Sequence, residues 1–155
     1  MNEAPIDRPS RFPWPPVLTL IFVILAWLGT PPSAVPTIQT WLGLGLILAG
    51  LTFDAIGAAH LLRHKTAVLP HRAASHLVTN GPFRFSRNPI YVGYVLILIG
   101  VALIRPGVVS IMAVGAFSVL LLKLAIEPEE RHLKSKFGAE WQAYATQVPR
   151  WLGPI

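Results

Sequence analysis

The segment from Leu77 to Gly93 (LVTNGPFRFSRNPIYVG) contains the residues whose types and spacing most clearly suggest chemistry. Asn88 is a favourable N-cap residue and Pro89 suits the first helical position, so a helix is predicted to begin at about Pro89. Arg87 then lies just outside the positive end of this helix, and the two positive potentials together favour a bound anion. The alternative is a loop whose arginines lie among lipid headgroups.

An acidic residue and two histidines are the other candidates. Asp54 lies inside an apolar run, where an ionisable side chain either faces the interior of a helix bundle or lies close enough to the interface to be hydrated. His60 and His64 share a helix face, but two ligands are too few for a metal site and no HExxH pattern is present. No metal site is therefore predicted, and the absence of cysteine excludes thiolate ligands and thiol nucleophiles.

The composition places these residues in a membrane protein. Of the 155 residues, 53% are hydrophobic and 13% are charged, and the mean hydropathy is +0.55. In such a protein a net charge of +6 is more typical of membrane topology and contact with anionic lipid than of nucleic-acid binding. Membrane lipids are therefore expected as partners, and nucleic acid is not, because no basic stripe with interleaved aromatic residues is present.

Four apolar runs predict an all-α integral membrane protein with about four transmembrane helices in one domain, residues 1–155. The first run could instead be a signal peptide, but no clear cleavage site follows it. The third helix, about 24 Å long at 1.5 Å per residue, is shorter than the roughly 30 Å hydrocarbon core, so it either thins the bilayer or begins in a recessed pocket. The helices are expected at about 12–30, 41–62, 89–104 and 108–126.

Small residues predict how these helices pack. Gly43, Gly45 and Gly50 in the second helix indicate a close approach to a neighbouring helix. The short connection at residues 105–107 (Arg-Pro-Gly) predicts that the third and fourth helices form an antiparallel hairpin.

Positive charge is distributed unevenly between the two sides of the predicted bundle. With four spans, all but one of the 13 Lys and Arg residues fall on the side of both termini, and Arg105 falls opposite. Because positively charged segments stay in the cytosol, both termini and the polar segments 63–88 and 127–155 are predicted to be cytosolic.

The C-terminal polar segment is amphipathic. It is too polar to span a membrane, so it is predicted to lie at the cytosolic surface as a helical lid, with Gly138 interrupting it at modest cost. Its apolar face consists of residues spaced for one side of a helix, namely Leu133, Phe137, Trp141 and Tyr144.

Two separated motifs in this order resemble those of the isoprenylcysteine carboxyl methyltransferase and phospholipid methyltransferase superfamily of integral membrane proteins. Residues 77–93 fit the pattern L-V-T-x-G-P-[YF]-R-x-x-R-[HN]-P-x-Y-x-G, and residues 129–144 fit E-E-x-x-L-x-x-x-F-G-x-x-[YW]-x-x-Y. The likeness begins at about residue 66, whereas the first two helices match in hydropathy alone. The chain is similar to small bacterial-type members, which implies a multi-pass protein of the bacterial inner membrane.

The resemblance implies a methyltransferase that uses S-adenosylmethionine, yields S-adenosylhomocysteine, and takes its acceptor from the membrane. Many relatives have histidine where this chain has Asn88, and asparagine cannot titrate, so no proton transfer is assigned to that position. The residues expected to be catalytic are Arg87, Asn88 and Tyr91. Those expected to bind the cofactor are Glu129, Glu130, Pro89, His71 and Tyr144.

The acceptor is expected to be lipophilic, and several alternatives stay open. A carboxylate, as in isoprenylcysteine-type O-methylation, is favoured because the Arg87 guanidinium can bind it with two hydrogen bonds. An amine would need a base, for which His71, His132 and Asp54 are weak candidates. N-methylation of a phospholipid amine and S-methylation of a small thiol are the alternative reactions. A small membrane transporter or a scaffold without catalysis is the alternative of another class, and the oligomeric state is not indicated.

Overall fold

A computed structural model describes residues 14–66 and 75–153, and within these ranges all regular secondary structure is helical, with no strand. A short 3-10 turn covers Gly81–Arg84, and one turn of π-helix covers Leu122–Ile126. The α-helices are α1 (Trp14–Gly29), α2 (Thr37–Arg63), α3 (Pro89–Ile104), α4 (Val108–Leu121) and α5 (Glu127–Gln147).

Two helices in these ranges are long and apolar enough to cross a membrane. One is α2, and the other is the continuous helix Val108–Gln147, whose apolar part ends at Ile126 and whose charged part begins at Glu127. The shorter apolar helices α1 and α3 have 16 residues each. The predictions of an all-α fold and of apolar helices near these positions are therefore confirmed for the described residues.

The start of α2 differs from the predicted one. Helix α2 begins at Thr37 rather than at about residue 41, because a helix can start directly after Pro36 although its first turn is not apolar. Gln39 in that first turn donates a hydrogen bond of 2.9 Å to the carbonyl of Leu103 at the end of α3. The additional turn is thus stabilised by tertiary contact rather than by hydropathy.

Helices α2 and α3 are antiparallel and approach each other closely through glycines. A Cβ added at Gly50 would lie 2.5 Å from the carbonyl oxygen of Gly93, and one at Gly100 would lie 2.5 Å from that of Gly43. The two contacts are seven residues apart on each helix, so both fall on one face. The predicted close packing is confirmed for Gly43 and Gly50. It is wrong for Gly45, because a Cβ added there would have no described atom within 4 Å.

The main core lies where α1, α3 and α4 meet. Leu98, Phe117 and Leu121 are fully buried there, and the ring of Phe22 packs 5.7 Å from that of Phe117. At the end of the bundle formed by the 105–107 turn, the Arg105 guanidinium lies 4.3 Å from the centre of the Trp27 ring. These contacts fix α3 and α4 beside α1, and α3 contacts α4 as the hairpin prediction requires.

Helix α4 continues into α5 without a break, where a separate surface segment was predicted. Pro128 lacks an N–H, and the π-turn before it absorbs the missing backbone bond while the helix continues. The interruption at Gly138 is larger than predicted, because its backbone (φ 51°, ψ −117°) is outside the helical region and kinks α5. The four residues predicted to share a face do pack together around Trp141 and Tyr144.

Candidate active site

The 3-10 turn before α3 is attached to the end of α2. Gly81 has a positive φ of 59°, and a Cβ there would lie 2.5 Å from the His60 ring, so a glycine is needed for both reasons. The His60 Nε2 lies 2.6 Å from Asn80 Oδ1, and the His64 ring packs 4.5 Å from that of His60. Within the described ranges no group of three His, Cys, Asp or Glu is placed to hold a metal ion.

Asn88 stands at the N-cap of α3, as predicted, but its side chain does not cap the helix. Its Nδ2 donates instead to the carbonyl of Arg150 at 3.1 Å, and the Ser86 hydroxyl donates to the same oxygen at 3.2 Å. The Arg87 N–H donates to the carbonyl of Pro149 at 2.9 Å. The start of α3 is therefore attached to the segment after α5 through main-chain groups of that segment.

The Arg87 side chain is mostly buried, with 14% of its surface exposed. Its Nη2 lies 3.6 Å from Glu130 Oε1, and its guanidinium carbon lies 5.7 Å from the centre of the Trp141 ring. Its Nε is buried and has no hydrogen-bond partner among the described residues. A buried donor without a partner is costly, so this group is suited to a ligand.

Glu129 points from α5 toward α3. Its Oε2 accepts a hydrogen bond of 2.7 Å from the Tyr91 hydroxyl. In the part of the chain that the structure describes, no cation forms an ion pair with this carboxylate. Burial is the main cause that raises the pKa of Glu129 above its ordinary value, and the nearby charge of Glu130 adds to it, against the opposing hydrogen bond from Tyr91.

Two small adjoining cavities of about 50 Å³ each meet at Arg87 and Glu129. Leu61 and Phe83 also line both of them. The first cavity lies toward α1 and α3 and is further lined by Pro15, Pro16, Asn88, Pro89, Ile90, Tyr91 and Tyr94. The second lies toward α5 and is further lined by Thr66, His76, Leu77, Val78, Leu133, Trp141 and Tyr144.

Glu130 lines neither cavity. Its carboxylate accepts hydrogen bonds from the Arg150 guanidinium, at 2.6 Å from Nη2 and at 3.1 and 3.2 Å from Nε. It borders an outer surface that also includes Arg131 and Lys134. Its predicted contact with the cofactor stays a prediction, and the structure assigns it a role in an ion pair that sequence reasoning missed.

The remaining predicted residues lie at different distances from this site. Pro89 lines the first cavity, and Tyr144 lines the second and donates a hydrogen bond of 2.7 Å to the carbonyl of Phe83. His71 lies outside the described residues. Asp54 is partly buried, packs against Gly93 of α3 and lines neither cavity.

A family model matches the part of the chain that includes α3, α4 and most of α2 and α5. Residues 38–140 match the model of the phospholipid methyltransferase family, so the chain belongs to this family, which lies within the superfamily that the two motifs indicated. The match includes Arg87, Asn88, Glu129 and Glu130, whereas Tyr144 and Arg150 follow it.

Beyond the family model, the chain resembles one curated protein over most of its length. The chain is similar to the nickel-cobalt-cadmium resistance protein NccN of Alcaligenes xylosoxydans xylosoxydans, at 26% identity over 117 residues. The aligned part covers 74% of this chain and 53% of the relative, so the chain spans about half of that protein's length. No solved structure matches the chain.

Proposed function

We propose that the protein is an integral membrane methyltransferase that uses S-adenosylmethionine and acts on a lipophilic acceptor at the cavities around Arg87 and Glu129. The observation that carries the proposal is the Glu129 carboxylate, which is partly buried between two cavities and has no cationic partner among the described residues. Such a group favours a cationic ligand, because burying an unpaired charge is costly.

The residues of the second cavity fit this cofactor. S-adenosylmethionine supplies a methyl group that is already activated on a sulfonium, and it also carries an ammonium and a carboxylate. The Glu129 carboxylate suits either cation, and Tyr91 holds that carboxylate in place with its hydroxyl. Leu133, Trp141 and Tyr144 supply apolar surface on the α5 side.

The first cavity suits the acceptor. It is lined by apolar and aromatic side chains of α1, α2 and α3, which an acceptor dissolved in lipid could reach. Arg87 lies between the cavities with an unpaired buried donor, which suits the carboxylate of an acceptor. The protein then acts mainly by positioning and by excluding water, for which Leu61 and Phe83 on the shared wall are placed.

The cavities are small for such ligands. Pockets that hold drug-sized molecules have volumes of about 300–1,000 Å³, whereas each cavity offers about 50 Å³. We therefore infer that α5 moves outward when ligands bind. The bend at Gly138 is a suitable hinge for this movement. No described atom lies within 4 Å of a Cβ built there, so the backbone at the bend can move without displacing neighbouring residues.

Methylation of a phospholipid amine is the second candidate reaction. The matched family is named for phospholipid methylation, and Glu129 is an anionic side chain at the junction of the cavities. The carboxylate acceptor is preferred because Arg87 would repel a protonated amine.

Calorimetry with purified protein in detergent tests the proposal. S-adenosylmethionine and S-adenosylhomocysteine should both bind, and Glu129→Gln should weaken S-adenosylmethionine by about tenfold, the loss expected for one charge-assisted hydrogen bond. Glu127→Gln is the matched control, because Glu127 pairs with Lys123 and Arg131 and lines neither cavity. Binding of neither compound to the wild-type protein would refute the proposed function.

A transfer assay separates the two reactions. Protein incubated with membrane lipids and methyl-labelled S-adenosylmethionine should place the label in a lipid fraction. A methyl ester releases labelled methanol in base, whereas an N-methyl group does not. Base-stable label in that fraction would exclude the carboxylate acceptor and leave an amine or a thiol.

A further inference from the structure

Arg150 follows the part of the chain matched by the family model, and its guanidinium touches neither cavity. We propose that Arg150 is a positioning residue: it neutralises Glu130 and thereby keeps the Arg87 guanidinium available to an anionic ligand. The proposal rests on the proposed role of Arg87 as the anion-binding residue.

Arg150 contacts the Glu130 carboxylate more closely than Arg87 does. The Arg150 guanidinium donates from two nitrogens, with a shortest distance of 2.6 Å, whereas Arg87 approaches with one nitrogen at 3.6 Å. A two-pronged contact between guanidinium and carboxylate is the stronger arrangement. Arg150 therefore satisfies most of the charge of Glu130, and Arg87 contributes little to it.

Arg87 is available as a consequence. Its Nε is buried without a partner in the described chain, and its side chain lines both cavities. The Glu130 side chain is only 12% exposed, so without Arg150 it would be a nearly buried carboxylate in need of another donor. Arg87 is already 3.6 Å away and would turn toward it. The positive charge that faces the cavities would then be lost.

The main chain of Arg150 has a separate function that side-chain substitutions leave in place. Its carbonyl accepts the hydrogen bonds from Ser86 and Asn88, and the neighbouring Pro149 carbonyl accepts the one from the Arg87 N–H. The attachment of the C-terminal segment to α3 therefore does not depend on the guanidinium. A substitution at position 150 can test the charge alone.

Octanoate and 1-octanol are suitable probes, because they differ in charge and share a hydrocarbon chain. Their affinities are measured by calorimetry with the full-length protein in phosphatidylcholine nanodiscs, after subtraction of empty nanodiscs. The variants are Arg150→Gln, Glu130→Gln and the double variant. Arg131→Gln is the control. Arg131 is exposed, borders the same outer surface as Glu130, and pairs with Glu127 instead. Thermal unfolding monitors folding without reference to the cofactor.

The wild-type protein should bind octanoate more tightly than 1-octanol. Arg150→Gln should weaken octanoate by about tenfold, the effect of losing a charge-assisted hydrogen bond, while 1-octanol and the control variant change little. The double variant should recover most of the lost octanoate affinity, because Arg87 then has no carboxylate to pair with. If Arg150 had only a structural role, the double variant would bind octanoate no more tightly than Arg150→Gln does.

Two results would overturn the proposal. One is a double variant that binds octanoate as weakly as Arg150→Gln does, and the other is a wild-type protein that binds octanoate no better than 1-octanol. Neither measurement requires S-adenosylmethionine. A failure of the proposed methyltransferase function would instead be seen as absent cofactor binding with the octanoate pattern intact.

Discussion

Arg87 and Glu129 carry opposite charges on the wall between the same two cavities, yet each has a different partner. Arg87 lies near Glu130, and Glu129 accepts a hydrogen bond from Tyr91. Two opposite charges are thus held apart in a partly buried site, where each can act on its own ligand group. A self-paired site would offer neither charge to a ligand.

The first prediction concerns the pH dependence of cofactor affinity. Burial raises the pKa of Glu129, and only the ionised carboxylate attracts the cations of S-adenosylmethionine. Proton loss therefore favours binding, so affinity should rise with pH through the raised pKa and level off above it. Calorimetric titrations over a pH series from about 5 to 8, which starts near the ordinary range of a glutamate pKa, measure this.

The matched variants give this prediction its control. Glu129→Gln should bind more weakly and lose the pH dependence, whereas Glu127→Gln should keep the wild-type profile. An equally steep profile in Glu129→Gln would assign the titration to another group.

The second prediction concerns Arg87. Arg87→Lys keeps the charge but loses the planar pair of donors, so transfer to a carboxylate acceptor should fall by about tenfold or more. Affinity for S-adenosylhomocysteine should change little, because the proposed cofactor contacts are on Glu129 and α5. The measurements are initial rates of methyl transfer to membrane lipid and calorimetric titration with S-adenosylhomocysteine. Unchanged transfer would mean that Arg87 serves only to contact headgroups.

Sequence reasoning could identify the charged residues of the site but not their pairing. Arg87 and Glu129 were found from a helix start and from two motifs, and both line the cavities. Glu129 and Glu130 could not be distinguished, although successive helical residues point about 100° apart. Arg150 was missed because its contact with Glu130 spans the bend at Gly138, and no local pattern reports a contact across a bend.

At the level of helices, the closest contact is that between α2 and α3. It brings the end of α2, which carries His60, to the 3-10 turn before α3. The glycine contacts therefore position the turn from which Arg87 and Asn88 emerge. In membranes the hydrophobic effect does not drive helices together, because lipid is as apolar as their side chains. Small residues that let two backbones approach closely are therefore a common basis for helix packing there.

The third prediction compares two glycines of α2. A Cβ at Gly50 would lie 2.5 Å from the carbonyl of Gly93, so Gly50→Ala should destabilise the protein by about 1–3 kcal/mol through overpacking. Gly45→Ala has no described neighbour and should be neutral or stabilising by up to about 1 kcal/mol through helix propensity. Thermal unfolding in one detergent compares them. Equal effects in both variants would mean that the α2–α3 contact is not the cause.

The continuation of α4 into α5 shows what hydropathy does not report. The change from apolar to charged residues at Glu127 suggested a boundary, and Pro128 follows directly. A π-turn accommodates the proline instead, and turns of this kind are frequent at functional sites. Here it directly precedes α5, which carries Glu129 and Glu130 near its start.

At the scale of the whole molecule, the fold joins segments that are about 60 residues apart in sequence. Phe83 accepts a hydrogen bond from Tyr144, and Arg87 donates one to Pro149. The loop before α3 and the segment after α5 are therefore on the same end of the helix bundle. Charge counting had placed both on one side of the membrane, but it could not predict that they touch.

The last prediction is the topology: four membrane spans with both termini cytosolic. All but one of the 13 Lys and Arg residues fall on the side of the termini, and Arg105 lies against Trp27 at the opposite end of the bundle. The hydrogen bonds between the 83–88 loop and residues 144–150 require those two segments to share a side.

The absence of cysteine allows a direct test with single-cysteine variants, because the background has no reactive thiol. Ser33→Cys lies in the exposed connection between α1 and α2, and Ser135→Cys lies on the exposed side of α5. A membrane-impermeant maleimide should label Ser33→Cys in intact spheroplasts and Ser135→Cys only after the membrane is disrupted. Labelling of Ser135→Cys but not of Ser33→Cys in intact spheroplasts would reverse the topology, and labelling of both would mean that an even number of spans lies between the two positions.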